Sequence, residues 1–388
     1  MLERADERRV LSSITRRAAL ARGVALGAAA ALMPLRRVRA FAADAPPPLL
    51  EDVPLERLSP RIEAEVDAAM AEFKVPGMSL ALVREGRTVW HRNFGVQNKQ
   101  TKQPVNDATV FEAASLTKPV VAYAALALVE QGKLDLDAPL ATLLDEPYAE
   151  DTTGFLAQLT ARHVLTHTTG LPNWLGSGKR ARFLFRPGHR FSYSGEGFVY
   201  LQRVLDRITG APLDAYLQRQ LFEPLGMTSA SLVWRDDYAD RLAAGYGWPA
   251  EDRGIVMKQS EANAASSLVC TAVDYAKFVS HLFGAPVADG SAITLRDATT
   301  MWKPHIEAGP GVPWGTGIGV AHPHAGDACW PCGNNAARYN CFAVGFPGHR
   351  LGVVVMTNSG RGLKACARIV PAAVGTEHPA LRWRKVVG

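Results

Sequence analysis

The chain has 388 residues, a formal net charge of +6 and a pI near 9.1. Hydrophobic residues make up 47% and charged residues 21%, which excludes a disordered protein and allows two domains or one large domain with an insertion. Residues 1–42 hold nine basic and three acidic residues, and the remainder holds 34 of each. Because the remainder is neutral, the basic pI does not indicate nucleic-acid binding.

Residues 1–42 have the features of an export signal. The pair Arg16-Arg17 precedes an apolar run from Gly23 to Leu35, and Ala40-Phe41-Ala42 resembles a signal-peptidase site. The run is shorter than the ~20 residues of a spanning helix, and an uncleaved anchor or a disordered basic tail are the alternatives. We expect a twin-arginine-type signal peptide, a periplasmic or extracellular bacterial protein, and no stable membrane insertion after cleavage.

The rest of the chain alternates between helical and strand patterns. Apolar spacing predicts a helix over 55–73, and the runs on either side of Glu85-Gly86 predict a β-hairpin. A helix over 116–131 follows. Further predicted elements are helices at 197–209, 271–283, 295–301 and 363–374, and strands at 316–321, 339–344 and 351–357.

Strands near both ends of the chain enclose a mainly helical middle. This order predicts an α/β (α+β) fold in which one antiparallel sheet is built from both chain ends and flanked by helices. We expect an α/β sandwich domain formed by 43–118 and 263–388. Residues 119–262 would form an inserted, mainly helical domain.

Ser115-Leu-Thr-Lys118-Pro119 stands at the start of the predicted helix over 116–131. A serine at a helix N-terminus lies near unpaired N–H groups and the positive end of the helix dipole, which favour a developing oxyanion. A lysine three residues later lies on the same face of the helix. An apolar pocket would lower the pKa of this lysine and let it accept the serine proton. The pattern predicts a nucleophilic serine, although so short a motif also arises by chance.

Six segments between about residues 57 and 375 resemble the serine β-lactamase-like and penicillin-binding-protein-like superfamily. They are Phe111–Pro119, Gly132–Pro139, Leu159–Pro172, Arg186–Gly197, Ala264–Phe278 and Gly352–Ser359. The sequence looks most similar to class C β-lactamases, DD-peptidases and family VIII-type esterases. The resemblance implies a β-lactamase/transpeptidase-like fold.

The resemblance also implies roles for individual residues. Ser115 matches the acylated nucleophile, Lys118 matches its lysine partner, and Tyr193 matches the tyrosine of the second motif. A phenol takes part in proton transfer at neutral pH only if a nearby ammonium stabilises its phenolate, and Lys118 is the candidate. Taken alone, Tyr193 is more typical of a buried core aromatic whose hydroxyl is bonded.

The second motif departs from the family pattern at Gly195, where relatives have an asparagine that contacts the lysine and the acyl side chain of the substrate. The next residue, Glu196, either compensates as a substrate-binding residue or is a solvated turn residue.

The third motif keeps its glycine as Gly333, and the resemblance implies that the N–H of Asn334 is the second oxyanion donor beside that of Ser115. Pro331, however, stands where relatives have lysine or histidine. In substrates with a carboxylate that basic residue helps to hold the acid, so its loss favours neutral esters or amides, or impairs catalysis. Arg338 and His322 are the candidates to replace the missing charge.

Several metal-type side chains lie close to Pro331 in the sequence: His322, His324, Cys329 and Cys332. They allow a zinc site, a Cys329–Cys332 or Cys332–Cys341 disulfide, or inert thiols. His163 and His167 lack the glutamate of a metalloprotease motif, and we expect them to be packed core histidines.

The sequence therefore predicts an exported serine hydrolase that hydrolyses an ester or amide through an acyl-enzyme, without metal or organic cofactor. The substrate would be a small-molecule ester or amide, or a peptidoglycan-like peptide, and the enzyme would be of the esterase, β-lactamase or DD-peptidase type. The alternative is a catalytically impaired family member that binds peptidoglycan or peptides, because Pro331 replaces the basic residue.

Overall fold

A computed structural model describes residues 49–176, 180–248, 253–287, 292–322 and 326–382. The predicted signal peptide over 1–42 and the candidate zinc ligand His324 lie outside the described residues. The elements belong to the compact unit formed by Pro46–Gly388. Among the described residues, no helix is both long and apolar enough to cross a membrane.

Within the described ranges, ten of the twelve strands form one antiparallel sheet. The strands are β1 (Gly77–Arg84), β2 (Arg87–Asn98), β3 (Gln103–Pro104), β4 (Phe111–Glu112), β5 (Val269–Cys270), β6 (Ile306–Gly309), β7 (Val312–Trp314), β8 (Gly319–Ala321), β9 (Ala328–Trp330), β10 (Cys332–Asn335), β11 (Tyr339–Phe346) and β12 (Leu351–Thr357). The order is β3-β2-β1-β12-β11-β9-β8-β7-β6, β10 pairs with β11, and β4 and β5 form a separate pair. Since β12 lies between β1 and β11, the prediction of one sheet built from both chain ends is confirmed.

Eight α-helices flank this sheet or lie between its two halves in the sequence. They are α1 (Leu55–Phe73), α2 (Thr117–Glu130), α3 (Ala161–Leu165), α4 (Gly195–Thr209), α5 (Leu213–Leu217), α6 (Ala272–Leu282), α7 (Thr299–Trp302) and α8 (Gly362–Val374), counted within the described ranges. Helices α2 to α5 fall in the region predicted to be an inserted helical domain, and the division of the chain into those two domains stays a prediction.

Both faces of the sheet are buried, because successive side chains of β1 and β12 enter different cores. Leu80 and Val355 pack in one apolar cluster with Ile62 of α1 and with residues of α8. Ala81 and Val354 belong to a second cluster that contains most of α2. This two-sided burial explains why the strands are continuous apolar runs rather than alternating ones.

Local patterns located most of the longer elements, but two predicted elements are shorter in the structure. The strand predicted over 316–321 is reduced to β8, Gly319–Ala321. The helix predicted over 295–301 shrinks to α7, Thr299–Trp302. The N–H of Leu295 donates to the Tyr123 hydroxyl at 3.1 Å, and the Asp297 carboxylate accepts from the Thr299 N–H at 3.0 Å. Because these backbone N–H groups donate to side-chain oxygens rather than to helical carbonyls, the helix begins only after Asp297.

Candidate active site

Ser115 lies in a 3₁₀ turn, Ala114–Leu116, that leads directly into α2. Ala114 has a φ of +53°, a left-handed conformation that is uncommon for a residue with a side chain. The Thr117 hydroxyl holds the turn by donating to the Ala114 carbonyl at 2.6 Å. Strain of this kind persists only where the surroundings enforce it, and its effect is to expose Ser115 between two buried neighbours.

Lys118 is buried against Ser115, with only 2% of its surface exposed. Its Nζ atom lies 3.1 Å from Ser115 Oγ and donates to the Ala265 carbonyl at 2.8 Å. Burial lowers the pKa of Lys118 to about 7, although the nearby Cys332 sulfur acts in the opposite direction. A large fraction of Lys118 is therefore neutral near pH 7 and able to accept a proton.

Tyr193 completes the group that the sequence predicted. Tyr193 lines the same cavity as Ser115, and Lys118 Nζ lies 4.7 Å from the centre of its ring. Burial, the largest cause, raises the pKa of Tyr193 above its ordinary value, so the phenol stays protonated at neutral pH. The structure thus brings Ser115, Lys118 and Tyr193 together, and Lys118 rather than Tyr193 is the group that loses its proton near neutral pH.

Of the two histidines in the 163–167 segment, only His167 packs against the residues of this site. His167 is fully buried, and its ring lies 4.2 Å from that of Tyr193. Its Nδ1 atom accepts from the Ser194 N–H at 3.1 Å. Burial, and secondarily the charge of Lys118, lowers the pKa of His167 well below its ordinary value. His163 is half-buried and bonds Thr160 at the start of α3. His167 is therefore the packed core histidine that was predicted, whereas the same prediction is wrong for His163, which is only half-buried.

Pro331 is a single residue between β9 and β10, so it marks a break in what is otherwise one strand. After it, Gly333 passes close to the turn that holds Ser115. A Cβ atom on Gly333 would lie 2.5 Å from the Ala113 carbonyl oxygen. Only a residue without a side chain therefore lets β10 run beside Ser115. Within the described ranges, β10 pairs only with β11, so its other edge faces the serine.

A cavity of ≈ 440 Å³ opens between α2, the residues before α4 and the β9–β10 segment. Its walls include Ser115, Lys118, Asn173, Tyr193, Trp314, Trp330, Pro331, Cys332 and Asn334. Lys118 is the only cation among the described residues that line it. Arg338 donates to the Gly245 carbonyl, and His322 lies 2.7 Å from Asp327. Neither residue lines the cavity, so neither replaces the missing third-motif charge there.

Glu196, predicted to bind substrate or to be a solvated turn residue, is 9% exposed and is absent from the cavity wall. The Tyr148 hydroxyl donates to its Oε1 atom, and the Leu175 N–H donates to Oε2 at 3.1 Å. Its carboxylate thus holds the segment that precedes α4. A Cβ atom on the preceding Gly195 would lie 2.7 Å from the indole ring of Trp174, which is 48% exposed.

All five cysteines fall within the described residues and carry free thiols, so neither predicted disulfide forms. Cys332 lines the cavity, and burial raises the pKa of its thiol to about 12. The described part of the chain, to which His324 does not belong, contains no group of three or more side chains that could hold a metal ion.

Sequence reasoning missed Asn173, Trp314 and Trp330 as residues of the cavity wall. Asn173 directly follows Pro172, the last residue of a segment that resembled the family, so its position was a usable signal. Trp330 gave a similar signal, because it directly precedes Pro331 of the third motif. Trp314 gave none, because only the packing of β7 brings it to the site.

Comparison with known proteins supports the interpretation of this geometry. A family model described as Beta-lactamase matches residues 62–370. An esterase, EstB of Burkholderia gladioli, is 32% identical over 217 residues, which cover 49% of this chain and 55% of that protein. The chain thus spans about half the length of this curated relative.

Two solved structures show the same fold. A class C beta-lactamase superposes with a TM-score of 0.71 at 19% identity, covering 81% of this chain and 96% of that one. The octameric penicillin-binding protein homologue from Pyrococcus abyssi superposes with a TM-score of 0.69 at 23% identity, covering 84% and 80%. The predicted β-lactamase/transpeptidase-like fold is confirmed.

Proposed function

The chain belongs to the beta-lactamase family of serine hydrolases, and from that premise we propose that it hydrolyses neutral esters or amides through an acyl-enzyme on Ser115. The observation that carries the proposal is the 3.1 Å contact between Lys118 Nζ and Ser115 Oγ. The lowered pKa of Lys118, about 7, makes this amine a competent base at neutral pH.

The reaction begins when neutral Lys118 takes the proton of Ser115 as Oγ attacks the substrate carbonyl carbon. The N–H groups of Ser115 and Asn334 receive the negative charge that develops on the carbonyl oxygen. Tyr193, which is protonated and lines the cavity beside Ser115, then passes a proton to the departing alcohol or amine and is reprotonated from Lys118. A water molecule attacks the acyl-enzyme by the same route and regenerates Ser115.

The cavity wall favours substrates without a carboxylate near the scissile bond. Trp314, Trp330 and Pro331 supply apolar surface, and among the described lining residues only Lys118 is cationic. Since Lys118 is placed against Ser115, it is not available as a second anchor for an acid. A relative whose name is esterase is consistent with this substrate class.

Labelling by a fluorophosphonate probe tests the nucleophile directly. We expect the purified protein to be labelled, Ser115→Ala to be unlabelled, and Ser192→Ala, which changes a serine outside the cavity wall, to be labelled like the wild type. Equal labelling of the wild type and Ser115→Ala would contradict the proposal.

Because Pro331 replaces the basic residue of the third motif, a second candidate function is the binding of peptidoglycan or peptides by a catalytically impaired family member. Turnover of p-nitrophenyl butyrate separates the two functions. If the protein is a hydrolase, the wild type should turn over this ester and Lys118→Ala should lose that activity. A silent wild type with activity gained in Pro331→His would instead favour the binding protein.

We also propose that the protein is exported, on the evidence of the twin arginine and apolar run within 1–42. Replacing Arg16 and Arg17 together by lysine should leave the protein in the cytoplasm of a twin-arginine-competent bacterium. Unchanged export of that variant would argue against this route.

A further inference from the structure

One residue, His167, makes three contacts around Tyr193. The His167 carbonyl accepts from the Ser192 N–H at 2.8 Å, and its Nδ1 atom accepts from the Ser194 N–H at 3.1 Å. Between these two bonds, the His167 ring lies against the Tyr193 ring, with 4.2 Å between their centres and 31° between their planes. His167 therefore holds both chain neighbours of Tyr193 and one face of its ring.

The backbone of His167 explains how one residue makes all three contacts. His167 follows Thr166, the C-cap of α3, and has a φ of +53°, a left-handed conformation that is uncommon for a residue with a side chain. Its N–H donates to the Val164 carbonyl at 3.0 Å and so closes the end of the helix. This turn directs both the carbonyl and the side chain of His167 toward residues 192–194.

Three aromatic side chains enclose the rest of the His167 ring. The ring of Trp314 lies 5.1 Å away, that of Phe198 5.5 Å away and that of Phe191 5.6 Å away, measured between ring centres. A ring packed in this way cannot shift without displacing its neighbours. The face that His167 presents to Tyr193 is therefore fixed by the surrounding core.

The imidazole is not placed to carry a proton in the reaction itself. A backbone N–H only donates, so Nδ1 is unprotonated and the proton of the neutral ring is on Nε2. The Nε2 atom bonds no described residue, and His167 is absent from the cavity wall. An effect of His167 on catalysis therefore passes through the residues it packs against, and Tyr193 is the one among them that takes part in proton transfer.

We propose that His167 is a positioning residue that sets the direction of the Tyr193 hydroxyl for proton transfer to the leaving group. In that step the bond between the carbonyl carbon and the leaving oxygen breaks, and the Tyr193 proton goes to that oxygen. The phenolate then regains a proton from Lys118, which took one from Ser115. This inference rests on the proposed function, because it concerns one step of the same reaction.

Four butyrate esters that differ only in the leaving group test the inference: p-nitrophenyl, phenyl, 2,2,2-trifluoroethyl and ethyl butyrate. p-Nitrophenolate departs without a proton, whereas ethoxide is too basic to depart unprotonated. The main variant is His167→Asn, because asparagine adopts the left-handed backbone and keeps an acceptor for the Ser194 N–H but has no ring. His167→Gln, which fills more of the space of the imidazole, carries the test if the first variant does not fold.

In these variants kcat/KM for ethyl butyrate should fall about 10–100-fold, and that for p-nitrophenyl butyrate less than about threefold, because only the first needs a well-placed acid. The other two esters should fall between these limits. Labelling of Ser115 by a fluorophosphonate, which releases fluoride, should stay close to the wild-type rate and shows that the variant is folded. His189→Asn, which changes an exposed histidine four residues before Tyr193, should match the wild type on every ester.

A double-mutant cycle on phenyl butyrate shows whether His167 acts through Tyr193. Tyr193→Phe removes the hydroxyl, so adding His167→Asn to that variant should cause little further loss. A further loss as large as the one that His167→Asn causes in the wild-type background would overturn the inference.

Failure of this inference is distinguishable from failure of the proposed function. A wild type that hydrolyses none of the four esters contradicts the proposed function, and the inference fails with it. An active wild type whose His167 variants lose activity equally on all four esters, or lose none, leaves the proposed hydrolysis intact and overturns the inference alone.

Discussion

Lys118 Nζ lies 3.1 Å from Ser115 Oγ inside a buried pocket, and the pocket changes the proton affinities of the groups around it in opposite directions. The pKa of Lys118 falls to about 7, and the pKa of Tyr193 rises. Burial is the largest cause of both changes, because it disfavours whichever form of each group is charged. Above pH 7 the site therefore holds mainly a neutral amine beside a protonated phenol.

Activity should therefore rise with pH through about 7. Below this value Lys118 is an ammonium and cannot accept the Ser115 proton, so kcat/KM for p-nitrophenyl butyrate should fall about tenfold per pH unit. Above it the profile should level off. Lys118→Met should lose about 10²–10⁴-fold of the activity. A flat profile between pH 5.5 and 8.5 would contradict the assignment of Lys118 as the base.

A cation at position 331 should change which substrates the site prefers. Pro331→Lys places an ammonium on the cavity wall, where a charge-assisted hydrogen bond to a substrate carboxylate is worth roughly 1.5–3 kcal/mol. We expect kcat/KM for an anionic substrate, relative to its methyl ester, to rise about tenfold or more. Pro331→Met is the uncharged control, and an equal rise in that variant would mean that loss of the proline ring, not the charge, is responsible.

Gly333→Ala should disable the site by displacing β10. The added Cβ would lie 2.5 Å from the Ala113 carbonyl and 3.0 Å from Ala114 Cβ, so the strand must move away from Ser115. We expect at least about a 10²-fold loss of kcat, as for the loss of an oxyanion donor, and about 1–3 kcal/mol of stability lost to overpacking. Gly348→Ala, whose Cβ would meet nothing within 4 Å, should behave like the wild type in both measurements.

Glu112 is a buried carboxyl whose charge should oppose folding. It is 2% exposed, and burial raises its pKa even though Asn335 donates to Oε2 at 2.7 Å. Its Oε1 atom bonds no described residue. Because the pKa is higher in the folded state, Glu112 supports folding while protonated, and that support disappears as pH rises through the folded-state pKa.

Glu112→Gln cannot ionise, so it should be more stable than the wild type at pH 8, on the order of 1 kcal/mol. The gain should shrink as pH falls toward 4.5. Denaturant unfolding at several pH values measures it, with the exposed Glu146→Gln as control. A gain that does not depend on pH would mean that ionisation of Glu112 is not its cause.

The sequence predicted elements and motifs that are specified locally. The helix over Leu55–Phe73 and the strand over Leu351–Thr357 have the predicted bounds, since each depends on apolar residues within its own span. Ser115 and Lys118 lie together for the same reason, because three residues along a helix make one face.

Contacts between distant segments could not be predicted in this way. The close packing of Trp174 on Gly195 is one such contact, and the orientation of Glu196 depends on Tyr148 and Leu175. The short strand β7, Val312–Trp314, contains a proline and is followed by two glycines in three residues, so its local pattern does not favour a strand. Tertiary pairing with β6 and β8 creates it.

The position of β12 also has a consequence for biosynthesis. Met78 pairs with Thr357, so the first hairpin to leave the ribosome finds its neighbour only when almost the whole chain has been made. Until then, the free edge of β1 exposes backbone hydrogen-bonding groups that can pair with another molecule. Such non-local closure makes folding slow. The nascent chain should therefore need a chaperone until residue 357 has emerged, and a truncation before Leu351 should aggregate rather than yield a smaller folded protein.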